Sequence, residues 1–242
     1  VQLLDPVAQE LVRGPPEERR RFLDWGVFHV EPAFLDAWQR YRRALDQRNA
    51  ALRGGDWGSV GAWDEPLAAS GELVDQYRRQ AVAAWRPGVE RLSTEFLGEP
   101  AEVEYSPGWA AGTTLLEALR ASAPRDRQLA STQVGPHRAD LRVRLGDRMA
   151  KQTASRGQEK LLAAALSLAQ IEQVVARLER RVILLVDEPA ADLDRAHLAR
   201  LVAALLAAPA QLFITALDRE QLHWPEDATL FHVEHGLVRC LV

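Results

Sequence analysis

Three short runs carry the polar residues best suited to handling a phosphate anhydride. Ser155-Arg156-Gly157-Gln158 opens a long apolar stretch, Asp187-Glu188 ends the run Ile183-Leu184-Leu185-Val186, and Asp192-Leu193-Asp194 follows shortly after. A small-residue loop at a helix N-terminus offers unpaired backbone N–H groups and the positive end of the helix dipole to a phosphate. Ser155 adds a hydroxyl, and Gly157 permits close backbone approach. A carboxylate at the C-terminal end of a parallel strand can hold Mg²⁺ against bound phosphates, and one beside it can orient or deprotonate the attacking water. Asp187 fits the metal-side role and Glu188 the catalytic one.

Such groups need a sheet and helices to aim them. Val182 to Val186 is a continuous β-branched and Leu run bounded by charge, which predicts a strand buried on both faces of a parallel sheet. Residues 157 to about 178 predict a helix with Leu161, Leu162, Ala165, Leu168 and Ala169 inward. A helix over 195–207 and a strand over 211–215 complete a βαβ unit. A closing pair of strands, 229–233 and 237–241, flanks His235-Gly236.

Upstream, Phe34, Trp38, Tyr41, Leu45 and Leu52 follow one another at spacings of four, three, four and seven, a one-sided apolar stripe on a helix that starts near Pro32. Arg40, Arg42, Arg43 and Arg48 are expected on its other faces. Gly54-Gly55 then breaks the helix, and Leu67, Val74, Tyr77, Ala81 and Ala84 form a second series. The two predict an antiparallel hairpin of roughly 20 residues per arm, about 30 Å long, with Pro87-Gly88 interrupting the return helix. Short strands are expected at 103–105 and 141–145, the latter ending in a Gly146-Asp147 turn, with a short helix over 114–121 between them.

The chain has 242 residues, is 47% hydrophobic and carries a formal net charge of −4. It can bury a substantial core, and its bulk charge argues against non-specific coating of DNA. The single cysteine, Cys240, excludes an internal disulfide framework and is expected to pack as a small apolar residue. No apolar run approaches the roughly 20 residues that span a bilayer, and the start shows no signal-peptide pattern. The expectation is a cytoplasmic protein without a membrane partner.

The order of signature-like loop, strand with Asp-Glu and Asp-Leu-Asp resembles the back half of an ABC-type ATPase head. Further blocks make the resemblance narrower. Arg20-Arg21-Phe22-Leu23-Asp24-Trp25-Gly26 with Phe28-His29, Gln47-Arg48-Asn49-Ala50-Ala51-Leu52 and Gly135-Pro136-His137-Arg138-Ala139-Asp140-Leu141 resemble the RecF family of bacterial recombination proteins, short-armed relatives of the SMC-type ATPases. The implied fold class is α/β: the C-terminal part of an ABC-type ATPase head with an inserted helical-hairpin arm. The implied division is a head-to-arm transition over 1–30, an arm over 31–130 and the head over 131–242.

The resemblance implies a DNA-binding ATPase that forms an ATP-dependent homodimer, recognises single-stranded, gapped or junction DNA, and works with RecO and RecR to load RecA during repair and replication restart. It implies ATP and Mg²⁺ as cofactors. Ser155, Arg156, Gly157 and Gln158 would contact nucleotide held by the partner, Asp187 would face Mg²⁺, Glu188 would be catalytic, and Asp192 to Asp194 would form the D-loop. Two departures matter. The chain has no Gly-x₄-Gly-Lys-Ser/Thr run to cradle phosphates; its lysines, Lys151 and Lys160, do not follow Gly, and it begins at Val1 without Met. It is therefore expected to be a fragment that does not turn over ATP alone. The switch His of ABC transporters is also missing, and Thr215 is the nearest candidate for a γ-phosphate sensor.

Plainer readings compete at several positions. Ser155 is a favoured helix cap, and Asp187-Glu188 can cap a turn. Arg19-Arg20-Arg21 after Glu17-Glu18 is expected to be a solvated, ion-paired face, as are Arg142 and Arg144 on one side of their strand. Gly135-Pro136-His137 reads as a turn or as a structural or nucleotide-proximal segment. His232 and His235 fall on opposite faces of a strand, which excludes them as a metal pair. An alternative function is a structural interaction module switched by ATP-driven dimerisation. A transporter subunit fits the altered loop and missing His poorly.

Overall fold

The computed structural model describes residues 1–178, 182–218, 221–222 and 224–241. In chain order these form β1 (Gln2–Leu4), α1 (Glu10–Arg13), α2 (Pro16–Val30), α3 (Phe34–Gly54), α4 (Trp57–Ala62), α5 (Asp64–Leu97), β2 (Ala101–Ser106), α6 (Leu115–Leu129), β3 (Asp140–Leu145) and β4 (Arg148–Met149). Then follow α7 (Ala150–Thr153), α8 (Arg156–Leu178), β5 (Val182–Val186), α9 (Arg195–Ala207), β6 (Ala210–Ile214), β7 (Phe231–Glu234) and β8 (Leu237–Cys240).

The expected βαβ unit is present, because β5 pairs in parallel with β6, and β1 adds a third parallel strand on the other side of β5. Side chains alternate between faces along a strand. Leu4, Leu184 and Val186 are buried, and α8 packs against β1 and β5. The other face is a correction to the expected two-sided burial: Leu3, Ile183 and Phe213 are exposed. Among the described residues, helices cover only one side of this three-stranded sheet.

Helix α8 carries the core. Leu161 to Ala169 are all buried, and the helix lies against α5, α2 and the parallel sheet. Its mean hydropathy of 1.4 over a membrane-length window corrects the expectation that no segment approaches a span, but 67% of that window is buried within the protein. That is the burial of a core helix.

Between the two arms of the hairpin, Arg48 meets Asp64, Tyr41 lies against Gly71 and Phe34 against Tyr77, so α3 and α5 run antiparallel as expected. Gly55 closes α3 in the left-handed conformation at φ 71°. The return helix is longer than predicted and passes straight through Pro87-Gly88. Proline removes an N–H and strains the preceding turn. Here Trp85, Val89, Leu92 and Phe96, all buried, hold the helix on both sides of that point. Gly88 has a packing role too, since a Cβ there would sit 3.0 Å from the Ala169 Cβ of α8.

Two arginine expectations also change. Arg48 is fully buried rather than on an outer face: its guanidinium donates to Asp64 (2.8 Å), Asp126 (2.6 Å) and the Thr132 hydroxyl (2.9 Å). Arg19 is buried and paired with Asp140 at 2.7 Å, whereas Arg21 is the solvated, ion-paired residue predicted, with Glu17 and Glu18. Helix α6 extends past Ala121 to Leu129 behind a Thr114/Glu117 capping box. Strands β2, β3 and β4 form an antiparallel sheet with the expected turn at Gly146. Strands β7 and β8 form a separate ribbon, and Cys240 is exposed there, a correction to the expectation of a packed apolar residue.

Candidate functional site

The loop at the start of α8 is built as a reciprocal cap. The Ser155 N–H donates to Gln158 Oε1 at 2.9 Å, and the Gln158 N–H donates to Ser155 Oγ at 3.3 Å. Ser155 and Gln158 therefore end the helix ladder for one another, while the Arg156 side chain between them is exposed. Gly157 sits against the segment after β5: a Cβ on it would lie 2.7 Å from the Asp192 carbonyl oxygen. The structure thus brings the 155–158 loop and the Asp192 segment into direct backbone contact.

At the C-terminal end of β5 the Asp187 N–H donates to Leu4 O at 2.9 Å, continuing the parallel ladder by one residue. The Thr215 hydroxyl donates to Asp187 Oδ1 at 2.5 Å and accepts the Glu188 N–H at 3.1 Å. Thr215 is itself fixed by its N–H to Val186 O at 2.9 Å. Its hydroxyl is engaged with the two acidic residues and their backbone.

Glu188 has φ 44° and Asp192 φ 65°, two non-glycine residues in the left-handed region within one short loop. Such conformations carry strain and persist where neighbours over-determine them. One such neighbour is Lys160, from the second turn of α8, whose ammonium donates to Glu188 O at 2.7 Å and Ala191 O at 3.0 Å. Burial lowers the pKa of this ammonium from its usual value, and the charges of Asp192, Glu188 and Asp187 partly oppose that shift. Asp194 serves as the N-cap of α9: its carboxylate accepts the His197 N–H at 2.9 Å and contacts His197 Nδ1 at 2.7 Å, which lowers its pKa.

The Gly135-Pro136-His137 segment is a joint between the arm and the following sheet. His137 Nε2 donates to Thr132 O at 2.9 Å, and Nδ1 accepts the Tyr41 hydroxyl at 2.5 Å. Burial pushes the ring pKa down to about 4, and burial raises that of Tyr41. Arg78, from α5, donates to both oxygens of Asp24 and to Pro136 O, tying α2 and α5 to the same segment.

By sequence Lys160 stands out only as a lysine that does not follow Gly, so its place in the site is not expected. A signal was available: it is one of two lysines among 30 basic residues, and it stands in an apolar helix just after Gln158. Among the described residues no group of three or more His, Cys, Asp or Glu side chains is gathered as a metal cage.

No family model matches the chain. It is 42% identical over 245 residues to the DNA replication and repair protein RecF of Pseudomonas aeruginosa (strain LESB58), covering 98% of this chain and 66% of that protein. The same protein of Azotobacter vinelandii (strain DJ / ATCC BAA-1303) is 44% identical, with 98% and 67% covered. A solved structure described as the recombination mediator protein RecF-ATPrS in the RecFOR pathway matches with a TM-score of 0.82 at 23% identity, over 100% of this chain and 68% of that one. A second, with ATP, also gives 0.82, at 20% identity. The fold is that of these proteins over the matched length: α/β, the C-terminal part of an ABC-type ATPase head with an inserted helical-hairpin arm. The chain spans 66% of the length of the first of these curated relatives.

Proposed function

The chain belongs to the RecF family of DNA replication and repair proteins, and from that premise we propose that it is the arm and C-terminal head portion of a DNA-repair ATPase. In this reading two copies close around ATP. The Ser155–Gln158 loop of one copy meets nucleotide bound by the other, Asp187 faces Mg²⁺, Glu188 acts on the attacking water, and the Asp192–Asp194 segment lines the dimer contact. Residues 31–130 are an arm carried on that head.

The observation that carries the proposal is the contact between Gly157 and the Asp192 carbonyl, beside a strand end that presents Asp187 and Glu188. Two turns of one helix thus touch the acidic loop, Gly157 against Asp192 O and Lys160 on Glu188 O, which supports a shared site. The donor set also fits Mg²⁺, which takes oxygen ligands and is commonly held by one or two carboxylates plus substrate phosphates. Asp187, oriented by the Thr215 hydroxyl, would supply such a carboxylate without a protein cage. The metal would neutralise charge on the transferred phosphoryl group. Glu188, fixed at its backbone, would hold the water and take its proton.

The chain has no Gly-x₄-Gly-Lys-Ser/Thr run, so the 242 residues alone should not hydrolyse ATP. Gapped or single-stranded DNA as ligand, RecO and RecR as partners, RecA loading and a cytoplasmic setting complete the proposal. The test is sedimentation of the Glu188→Gln variant with a phosphate-binding segment restored upstream. A dimer that forms only with ATP is expected, and a monomer at saturating ATP would overturn the composite site. Steady hydrolysis by the 242-residue chain alone, abolished by Glu188→Gln, would overturn it as well.

A further inference from the structure

Both backbone polar atoms of Glu188 are held by side chains from other elements. Its N–H reaches Thr215 Oγ1, beyond the end of β6, and its carbonyl receives the ammonium of Lys160 from α8. The same ammonium reaches Ala191 O, and the same hydroxyl reaches Asp187 Oδ1. A residue at φ 44° without glycine's freedom does not hold that conformation by local preference. Its carbonyl also accepts the Ala191 N–H of its own turn at 3.2 Å, and the two side chains fix that turn from outside the loop. Lys160 also stands less than two turns from Ser155, on the helix whose first turn touches Asp192 through Gly157.

We propose that Lys160 and Thr215 form a backbone clamp that aims the Glu188 side chain, and that through Lys160 the clamp ties this aim to the position of the 155–158 loop on α8. The inference deepens the ATPase reading and rests on it. A shift of α8 moves the ammonium relative to two carbonyls at once, so engagement of the loop at a nucleotide changes how Glu188 is held. Both residues are positioning groups, since each acts on Glu188 through its backbone. The Thr215 hydroxyl, the nearest candidate for a γ-phosphate sensor, is turned toward Asp187 and the Glu188 amide.

Two measurements test the clamp. In the 242-residue chain, Lys160→Met and Thr215→Val should speed amide hydrogen exchange across 187–192 by at least about tenfold while leaving the rest of α8 protected. Unchanged exchange in that segment overturns the clamp whatever the chain's activity. In the ATPase with its phosphate-binding segment restored, Lys160→Met should lower kcat by ~10²-fold, the scale of a small misplacement of a reacting group. KM for ATP should stay within about threefold, and ATP-dependent dimerisation should persist. Lys160→Arg should recover most of that loss, and Thr215→Ser should restore the exchange protection that Thr215→Val loses. Equal kcat in wild type and Lys160→Met overturns the inference alone, as does a loss that merely parallels lost dimerisation or folding. A wild-type protein that neither dimerises with ATP nor hydrolyses it would instead overturn the underlying reading.

Discussion

The carbonyl oxygen of Asp192 occupies the space in which residue 157 would carry a side chain, 2.7 Å from where a Cβ would stand. The oxygen belongs to backbone at φ 65°, so it cannot move aside as a flexible side chain would. Gly157→Ala should therefore push the 188–194 loop off α8. Overpacking of this kind costs about 1–3 kcal/mol, and roughly 2–4 °C of Tm per kcal/mol is expected at this chain size. A thermal melt reads the loss. A Gly157→Ala chain as stable as wild type would mean that the contact is not tight in solution.

Arg48 and Asp126 are both fully buried, 2.6 Å apart, and they join α3 to the end of α6. Asp126 also accepts the Gln133 N–H and the Ser122 hydroxyl, so its charge is well satisfied only while Arg48 is present. Removing one partner of a buried pair costs about 3–5 kcal/mol because the other charge is stranded. Arg48→Met should lower the unfolding free energy by that amount, read from denaturant titration, and the Arg48→Met/Asp126→Asn double variant should be more stable than Arg48→Met alone. A double variant equal to the sum of the two single losses would show that the residues are not coupled.

These cases also mark what sequence could and could not convey. The strand ending at Asp187, the helix opening at Ser155 and the βαβ order rest on local patterns, and Ser155-x-x-Gln158 is itself a legible capping box. The partners of Arg48 are not local: Asp126 lies 78 positions away, and an arginine beside a helix's apolar stripe looks like a surface residue until its acid is placed. Pro87-Gly88 looks like a break because the packing of Gly88 on Ala169 is tertiary. Lys160 binds two carbonyl oxygens, and no residue type announces a carbonyl. The exposed side of β5 was illegible for a related reason, since an unbroken apolar run names no face.

The exposed side of the parallel sheet is apolar. Leu3, Leu185 and Phe213 lie in one row across the three parallel strands, with Ile183 beside them, and Leu3 and Phe213 are 51% and 50% exposed. A contiguous apolar patch of this kind promotes association. The 242-residue chain should bind a hydrophobic dye and self-associate with rising concentration. Phe213→Lys should reduce both while shifting Tm little, because half of that side chain already meets water. Dye binding unchanged by Phe213→Lys, and by Leu3→Lys, would place the sticky surface elsewhere.

The His137–Tyr41 joint should make stability pH-dependent in a defined window. Folded His137 has a pKa of about 4 because burial disfavours its cation, against an ordinary value of 6.5. Above pH 6.5 the ring is neutral in both folded and unfolded chains and adds no slope. As pH falls from 6.5 toward 4, the unfolded chain takes up a proton that the folded chain refuses, so stability falls with pH across that interval. The full loss, reached below pH 4, is up to about 3 kcal/mol at 1.36 kcal/mol per unit. Protonation would also take the Nδ1 lone pair that accepts the Tyr41 hydroxyl. His137→Asn should melt lower than wild type at pH 7.5, yet lose less between pH 6.5 and 4.5, because the titrating group is gone. Melting temperatures across that interval decide it: parallel wild-type and variant profiles would mean that His137 titrates in the folded chain much as it does in the unfolded one, and that the joint tolerates its charge.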